Sequence, residues 1–507
     1  MMKKSILFLF YILLCCNIFA QDKNDYIWVF GYPPNVPDQF FGGSMIDFHT
    51  EPPEVSYFET LIHFQTHTAL SDEEGNLLLY SNGCRIANGI HNILENGDSI
   101  NAGAIYDDYC EIGYPSFQSI VSLPLPDNDS LVYLFHTRKD DVMFWINRNF
   151  LYTIVNINEN DGNGRVTEKN QSILDGDFYE GLTAVRHGNG RDWWLILTDV
   201  YSNRINLFLF DPTGVHFSHS QEIGEVLEFI GGAGQATFSP DGTKYIRANN
   251  NNNIHIYDFD RCSGWFASPV AIEIPVDSFD LAAVGAVVSS NSQYLYVPAI
   301  TKIHQYNLNA NNIAASHITV AEYDGYASPP SSSVPLPTTF FQGMLAPNEK
   351  IYITANNGVD VLHIIHEPNQ AGLACNVEQH GLQMPTRHSF QVPNFPHFRL
   401  YDMQGSPCDT LGINDPVATE EVEKEERSLL VYPNPAQTEV KVSFPYLFTG
   451  KLTIVDVTGK TMLKEYNLIG SNSTNLSVDE LSNGIYILIA FEEGTNQTFQ
   501  QKLVIKQ

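Results

Sequence analysis

Asn156, Asn158, Asn160 and Asp161 place oxygen side chains at near-alternate positions in VNINENDGNGR, imitating a calcium loop. The acidic first position and the distal bidentate Glu are missing, so a hairpin turn over residues 160–164 is the expectation. His363 and His366 lie on a strand pattern, where a spacing of three sends the rings to opposite faces. His63 and His67, four apart on a strand, share a face at a separation of roughly 13 Å, too wide to chelate one ion. Trp193 and Trp194 are adjacent, so each is expected to face a different neighbouring sheet; a glycan platform is the other use of such a pair. GxSxG, SxxK, HExxH and phosphate-cradling glycine loops are all missing. A carboxylate pair for glycoside cleavage could still assemble from distant segments, but no spacing selects one. The sequence therefore assigns no catalytic residue, no cofactor and no metal ligand.

The segments that would have to position such groups are repeats. GGAGQATFSPDGTKYIRANNNNNIHIYDFD (231–260) reads as three short strands joined by a Pro-Asp-Gly turn and an Asn-rich turn. A turn followed by a Tyr- or Leu-rich strand recurs at 71–83, 125–137, 185–199, 238–250, 288–300 and 345–357. An interval of roughly 50–60 residues is the mark of a propeller or another repeat array. Small residues at Gly181, Gly285 and Gly343 suit innermost strands that crowd an axis, where Glu180, Gln235 and Gln342 are the polar candidates. Tyr26–Tyr32 and Met45–Thr50 precede the first full repeat, and 389–402 holds one more strand-like stretch. Joining these two ends in a composite blade removes open sheet edges. The expectation is an all-β chain with a seven-bladed β-propeller, six and eight blades being the alternatives.

Length and charge bound the rest. A chain of 507 residues exceeds one compact core. Residues 1–20 have the positive start, apolar run and small final residue of a signal peptide, with cleavage expected after Ala20. Leu14 is too bulky before Cys15 for lipid attachment. The formal net charge is −31, and loss of Lys3 and Lys4 with the leader makes it about −33. Such a surface repels nucleic acid and anionic membrane, and no other stretch is apolar enough to span a bilayer. Beyond the leader lie Cys84, Cys110, Cys262, Cys375 and Cys408, an odd number in an exported chain. The expected disulfides are Cys84 with Cys110 and Cys375 with Cys408, each closing a modest loop.

WVFG (28–31), SDEEGNLLLYSNG (71–83), HNILENGDSIN (91–101), FSPDGTKY (238–245) and IYDFDRCSG (256–264) resemble secreted propeller proteins of Bacteroidetes-type bacteria over most of 26–405. That resemblance implies fold and compartment, and no reaction. The usual immunoglobulin-like module between propeller and tail is missing.

The domain scheme is a leader (1–20), a propeller (21–405), an acidic linker (406–428) and a small β-sandwich (429–507). In the last of these, LLVYPNPAQTEVKVSF, IVDVTGKTML, LSNGIYIL and the terminal KLVIKQ occur in order. They resemble the type A C-terminal sorting domain of type IX secretion. Tyr432, Pro433, Asn434, Pro435, Asp456, Gly459, Asn483, Gly484 and Tyr486 carry its motifs. The resemblance implies a route through the periplasm to the outer-membrane translocon, which would read 429–507. A sorting peptidase would then cut within 420–430, leaving a released or surface-displayed propeller. Three functions stay open: a binder of an unknown extracellular glycan or protein, a glycan-active enzyme with its site at the axis, and a structural adhesion or gliding component.

Overall fold

The computed structural model describes residues 22–33, 40–60, 62–140, 146–227, 232–275, 284–328, 335–388, 390–411, 429–456, 460–492 and 498–506. The leader, most of the acidic linker and Gly459 lie outside the described residues. The chain separates into two compact units, Met1–Asn414 and Asp415–Gln507.

The first unit is a seven-bladed β-propeller. Blade one contains Ile27–Tyr32, Gly42–Asp47 and Glu54–Phe58, and blade two contains Thr68–Ser71, Leu77–Ser81 and Ile86–Asn88. Blades three to seven are four-stranded antiparallel meanders whose innermost strands are Ile120–Pro124, Thr183–Arg186, Gly234–Phe238, Val287–Val288 and Gly343–Leu345. The six repeats read from the sequence are blades two to seven. Alternation along each strand sends side chains to both neighbours, so the strands are apolar on both faces. Trp193 and Trp194 illustrate this: both are buried, Trp193 in the layer with Phe208 and Phe210, Trp194 in the layer with Phe238 and Tyr245. Crowding at the inner strands is severe. A Cβ at Gly285 would lie 2.2 Å from the Phe341 carbonyl oxygen, so only glycine fits there.

Ring closure uses both ends of the unit, but residues 390–402 form no strand. Among the described residues blade one has three strands, all from the N-terminal side, and 390–400 runs at its innermost place without forming a strand. Asn394 N–H donates to the His67 carbonyl, and Phe395 lies 6.2 Å from Trp28 between ring centroids.

Among the described residues two disulfides are present, Cys84–Cys110 and Cys262–Cys408. The expected Cys375–Cys408 bond is therefore corrected. Cys375 is a buried free thiol in the apolar layer with Tyr296 and Ile365. After leaving the axis the chain passes below blades four and five, where Met403 N–H donates to Gly188 O and Arg261 donates to the Tyr401 carbonyl. That path brings Cys408 to Cys262, and it overrides the preference for a short loop.

In the second unit, Leu430–Tyr432, Glu439–Asp456, Thr461–Ser477, Gly484–Glu492 and Thr498–Ile505 form one five-stranded sheet. A sandwich of two sheets was expected because 439–444 and 451–456 read as separate strands. They are instead one 18-residue strand. It pairs along its length with Thr461–Ser477 and on its other side with Leu430–Tyr432 and then Gly484–Glu492. Register shifts between Ser443 and Val455 curl the sheet over a core of Val440, Val442, Leu452, Ile454, Leu488 and Leu503. A parallel bridge from Ala436 to Ile505 nearly closes it.

Candidate functional site

The propeller axis is the first place to look for chemistry, because residues of every repeat converge there. It is filled by the chain itself. At the upper face, where the inner strands begin, Phe117, Phe341 and Phe390 form a triad with centroids 5.8, 5.9 and 6.1 Å apart. Beneath it lies a layer of amides. Gln118 donates through Nε2 to Ala236 O (2.7 Å) and Asn394 Oδ1 (3.1 Å), and its Oε1 accepts from Ala236 N–H. Asn394 Nδ2 donates to Ile120 O (2.8 Å) and Leu182 O (2.9 Å), tying blades three and four. Gln391 Nε2 donates to Ser116 O, and its Oε1 accepts from Gln118 N–H. On the far side Gln235 donates to Gly343 O and Gln342 donates to Gly234 O, so blades five and seven are stapled reciprocally.

The extended segment bonds to blades two, three, four, five and seven, which only a chain on the axis can do. At the lower face, where the inner strands end, Arg399 makes a bidentate ion pair with Asp25 (2.5 and 2.7 Å).

Gln235 and Gln342 thus lie where the sequence placed them, and they serve as staples. Gln118, Gln391 and Asn394 were missed. The signal was present as a recurring Phe-Gln at 117–118, 341–342 and 390–391, with Gly-Gln at 234–235. Glu180 also lies near the upper mouth, with its side chain 5% exposed. Its Oε1 accepts from Lys139 Nζ (2.5 Å) and Ser116 Oγ (3.0 Å). Burial raises the Glu180 pKa, and the Lys139 charge opposes that rise. The Lys139 side chain is wholly buried, so this pair is a buried structural clamp at the edge of a small pocket.

The other chemical candidates stay apart. His363 is buried on the strand Val359–Ile365, whereas His366 lies one residue past that strand and bonds to Glu378 (2.7 Å). His63 and His67 lie off any strand: His63 packs on Tyr32, and His67 lies between Phe30 and Phe64. The 156–164 loop is a hairpin turn whose amides bond within the turn and to Ser130. Among the described residues no group of three or more His, Cys, Asp or Glu could hold a metal.

In the second unit the motif residues do come together. Asp456 is the register partner of Tyr486, Tyr486 that of Leu503, and Gly484 that of Ile505. Asn434 joins the same end by donating to Lys502 O (2.7 Å) and accepting from Val504 N–H (2.8 Å). YPNP is therefore the seam that fastens the first strand to the last. Asp456 Oδ1 accepts from Lys460 N–H, and Tyr486 O–H donates to Ser482 O. Tyr432 is 54% exposed, with Lys441 Nζ 5.9 Å from its ring centroid. Motifs dispersed over some fifty residues thus meet at one end of a folded sheet.

The two units define an exported propeller with a C-terminal address. Residues 430–506 match the family described as the secretion system C-terminal sorting domain, so the chain is directed through type IX secretion to the cell surface or the medium. No curated protein matches the chain. Among solved structures it is similar to a putative 6-phosphogluconolactonase from Bacteroides uniformis, at 12% identity and a TM-score of 0.44, covering 73% of this chain and 99% of that one. It is also similar to PorZ, a surface component of the type IX secretion system of Porphyromonas gingivalis, at 10% identity and a TM-score of 0.27, covering 92% and 73%. Likenesses at this level carry no chemistry to the present chain. Among the described residues no helix is long and apolar enough to cross a membrane.

Proposed function

We propose that this chain is a non-catalytic binding module for an extracellular macromolecule. The reading rests on one observation: the axis is filled by the chain's own Phe triad and amide layer. Propellers commonly house ligands in the axial channel. With that channel filled, the faces and rim are left for recognition. In this reading the leader takes the chain to the periplasm, the translocon reads the curled end of 429–507, and the sorting peptidase cuts within 420–430. Glycan and protein arrays probed with the purified chain test it. Retention of a glycan or protein, without turnover of any arrayed polysaccharide, is the expected result. Release of reducing ends from a polysaccharide would overturn it.

A further inference from the structure

A cleft of the propeller lies away from the axis. It has a volume of about 550 Å³ and sits on the lower face, among the turns that follow the inner strands of blades two, three and four. Ligand clefts commonly span roughly 300–1,000 Å³. Its apolar lining comes from Leu70, Leu78, Pro124, Leu131, Val132 and Ile157. Six carboxylates and only two guanidiniums surround that lining. Both cations are already engaged, Arg186 by Asp22 (2.9 Å) and Arg191 by Asp127 (2.7 Å). Asp72 accepts from the Asn76 backbone and side chain. Glu73, Glu74 and Asp129 are exposed and have no ion-pair partner among the described residues.

Such a surface has two unmet demands. Its apolar lining gains from covering by something apolar, at about 25 cal/mol per Å². Its three unpaired carboxylates call for positive charge, and the chain, at −31 overall, carries few cations to supply it. Nucleic acid and anionic lipid are repelled by the same charge. From this charge complementarity we infer that the lower cleft docks a short segment of another protein, an apolar anchor residue flanked by Lys or Arg. The anchor seats among the half-buried Leu78, Leu131 and Ile157, and the flanking cations meet Glu73, Glu74 and Asp129. This inference rests on the reading of the propeller as a binding module and gives that module a site and a partner class.

A displayed library of eight-residue peptides panned on the full-length protein tests it, with affinities of enriched peptides measured by fluorescence anisotropy. Enriched peptides should be net basic with one large apolar residue. The triple variant Glu73→Lys, Glu74→Lys, Asp129→Lys, at exposed turn positions, should keep its melting temperature and weaken binding by roughly tenfold or more. Leu78→Ser should weaken it through the lining. The pair Asp107→Lys, Asp108→Lys, exposed on the Ala104–Tyr109 helix, should leave affinity unchanged. Enrichment of neutral or acidic peptides, no enrichment, or an equal loss in both sets of variants would overturn the inference. An array ligand that binds the triple variant normally would sink the cleft and leave the binding module standing. Empty arrays with an empty library would remove both.

Discussion

Residues from distant repeats meet at the propeller axis, and residues from distant motifs meet at the end of the sorting domain. At the axis, Gln118, Gln391 and Asn394 lie at 7%, 1% and 3% exposure, with their amide groups engaged by other blades. In the sorting domain, Asn434 likewise fastens a seam, but Tyr432 beside it stands in solvent. Convergence at the axis builds a core, because polar groups placed there must satisfy one another in the absence of water. Convergence at the tail leaves Tyr432 exposed, and only the folded sheet brings the motif residues together.

That contrast can be broken from the axial side first. Glu180→Gln removes the carboxylate from a buried pair and leaves the Lys139 ammonium in place; urea unfolding should report a loss of about 3–5 kcal/mol. Removing the Cys262–Cys408 bond by serine substitution of both frees the chain just after the axial segment. The bond closes 146 residues, so its loss should cost about 2–4 kcal/mol, read by the same titration. Asn394→Leu strips the amide layer of bonds to two blades and should destabilise by about 2–3 kcal/mol, while Asp107→Ala, exposed on the helix, should change little.

Acid sharpens the comparison further. Burial pushes His67, His136 and His363 down to about 3, and His304 and His397 down to about 4. These depressed values mean the unfolded chain takes up more protons, so propeller stability should fall as pH drops from about 6.5 towards 4. Calorimetry should find a propeller transition that moves down across that window; a pH-independent transition would contradict the burial of these rings. The smallest folding effect belongs to the tail: Tyr432→Ala should shift melting by well under 1 kcal/mol, since the ring is half exposed, yet leave the protein inside the envelope on fractionation.

Much of this was legible because periodic turns and small residues force propeller geometry. Pro240-Asp241-Gly242 recurs in kind through the blades, and Gly285 stands where a Cβ has no room. Sequence spacing misplaced Cys408 because it weighs loop length and cannot follow the chain through the axis to Cys262. It also broke the 439–456 strand in two, since Pro445 and Gly450 look like stops, whereas the strand curls through them. The amide layer was missed for a different reason. Gln118 and Asn394 are 276 residues apart, and although a recurring Phe-Gln marks Gln118, no repeat pattern marks Asn394 as its partner. The lower cleft was equally invisible, being assembled from three turns that each look like ordinary solvated loops.

Native-state hydrogen exchange at the Asn394 amide, which is bonded to His67 O, tests the closed axis most directly. The account predicts that this amide exchanges only with global unfolding, as slowly as the inner-strand amides of blades three and five. Exchange within seconds, with those strands still protected, would mean that the axis is open and would contradict it.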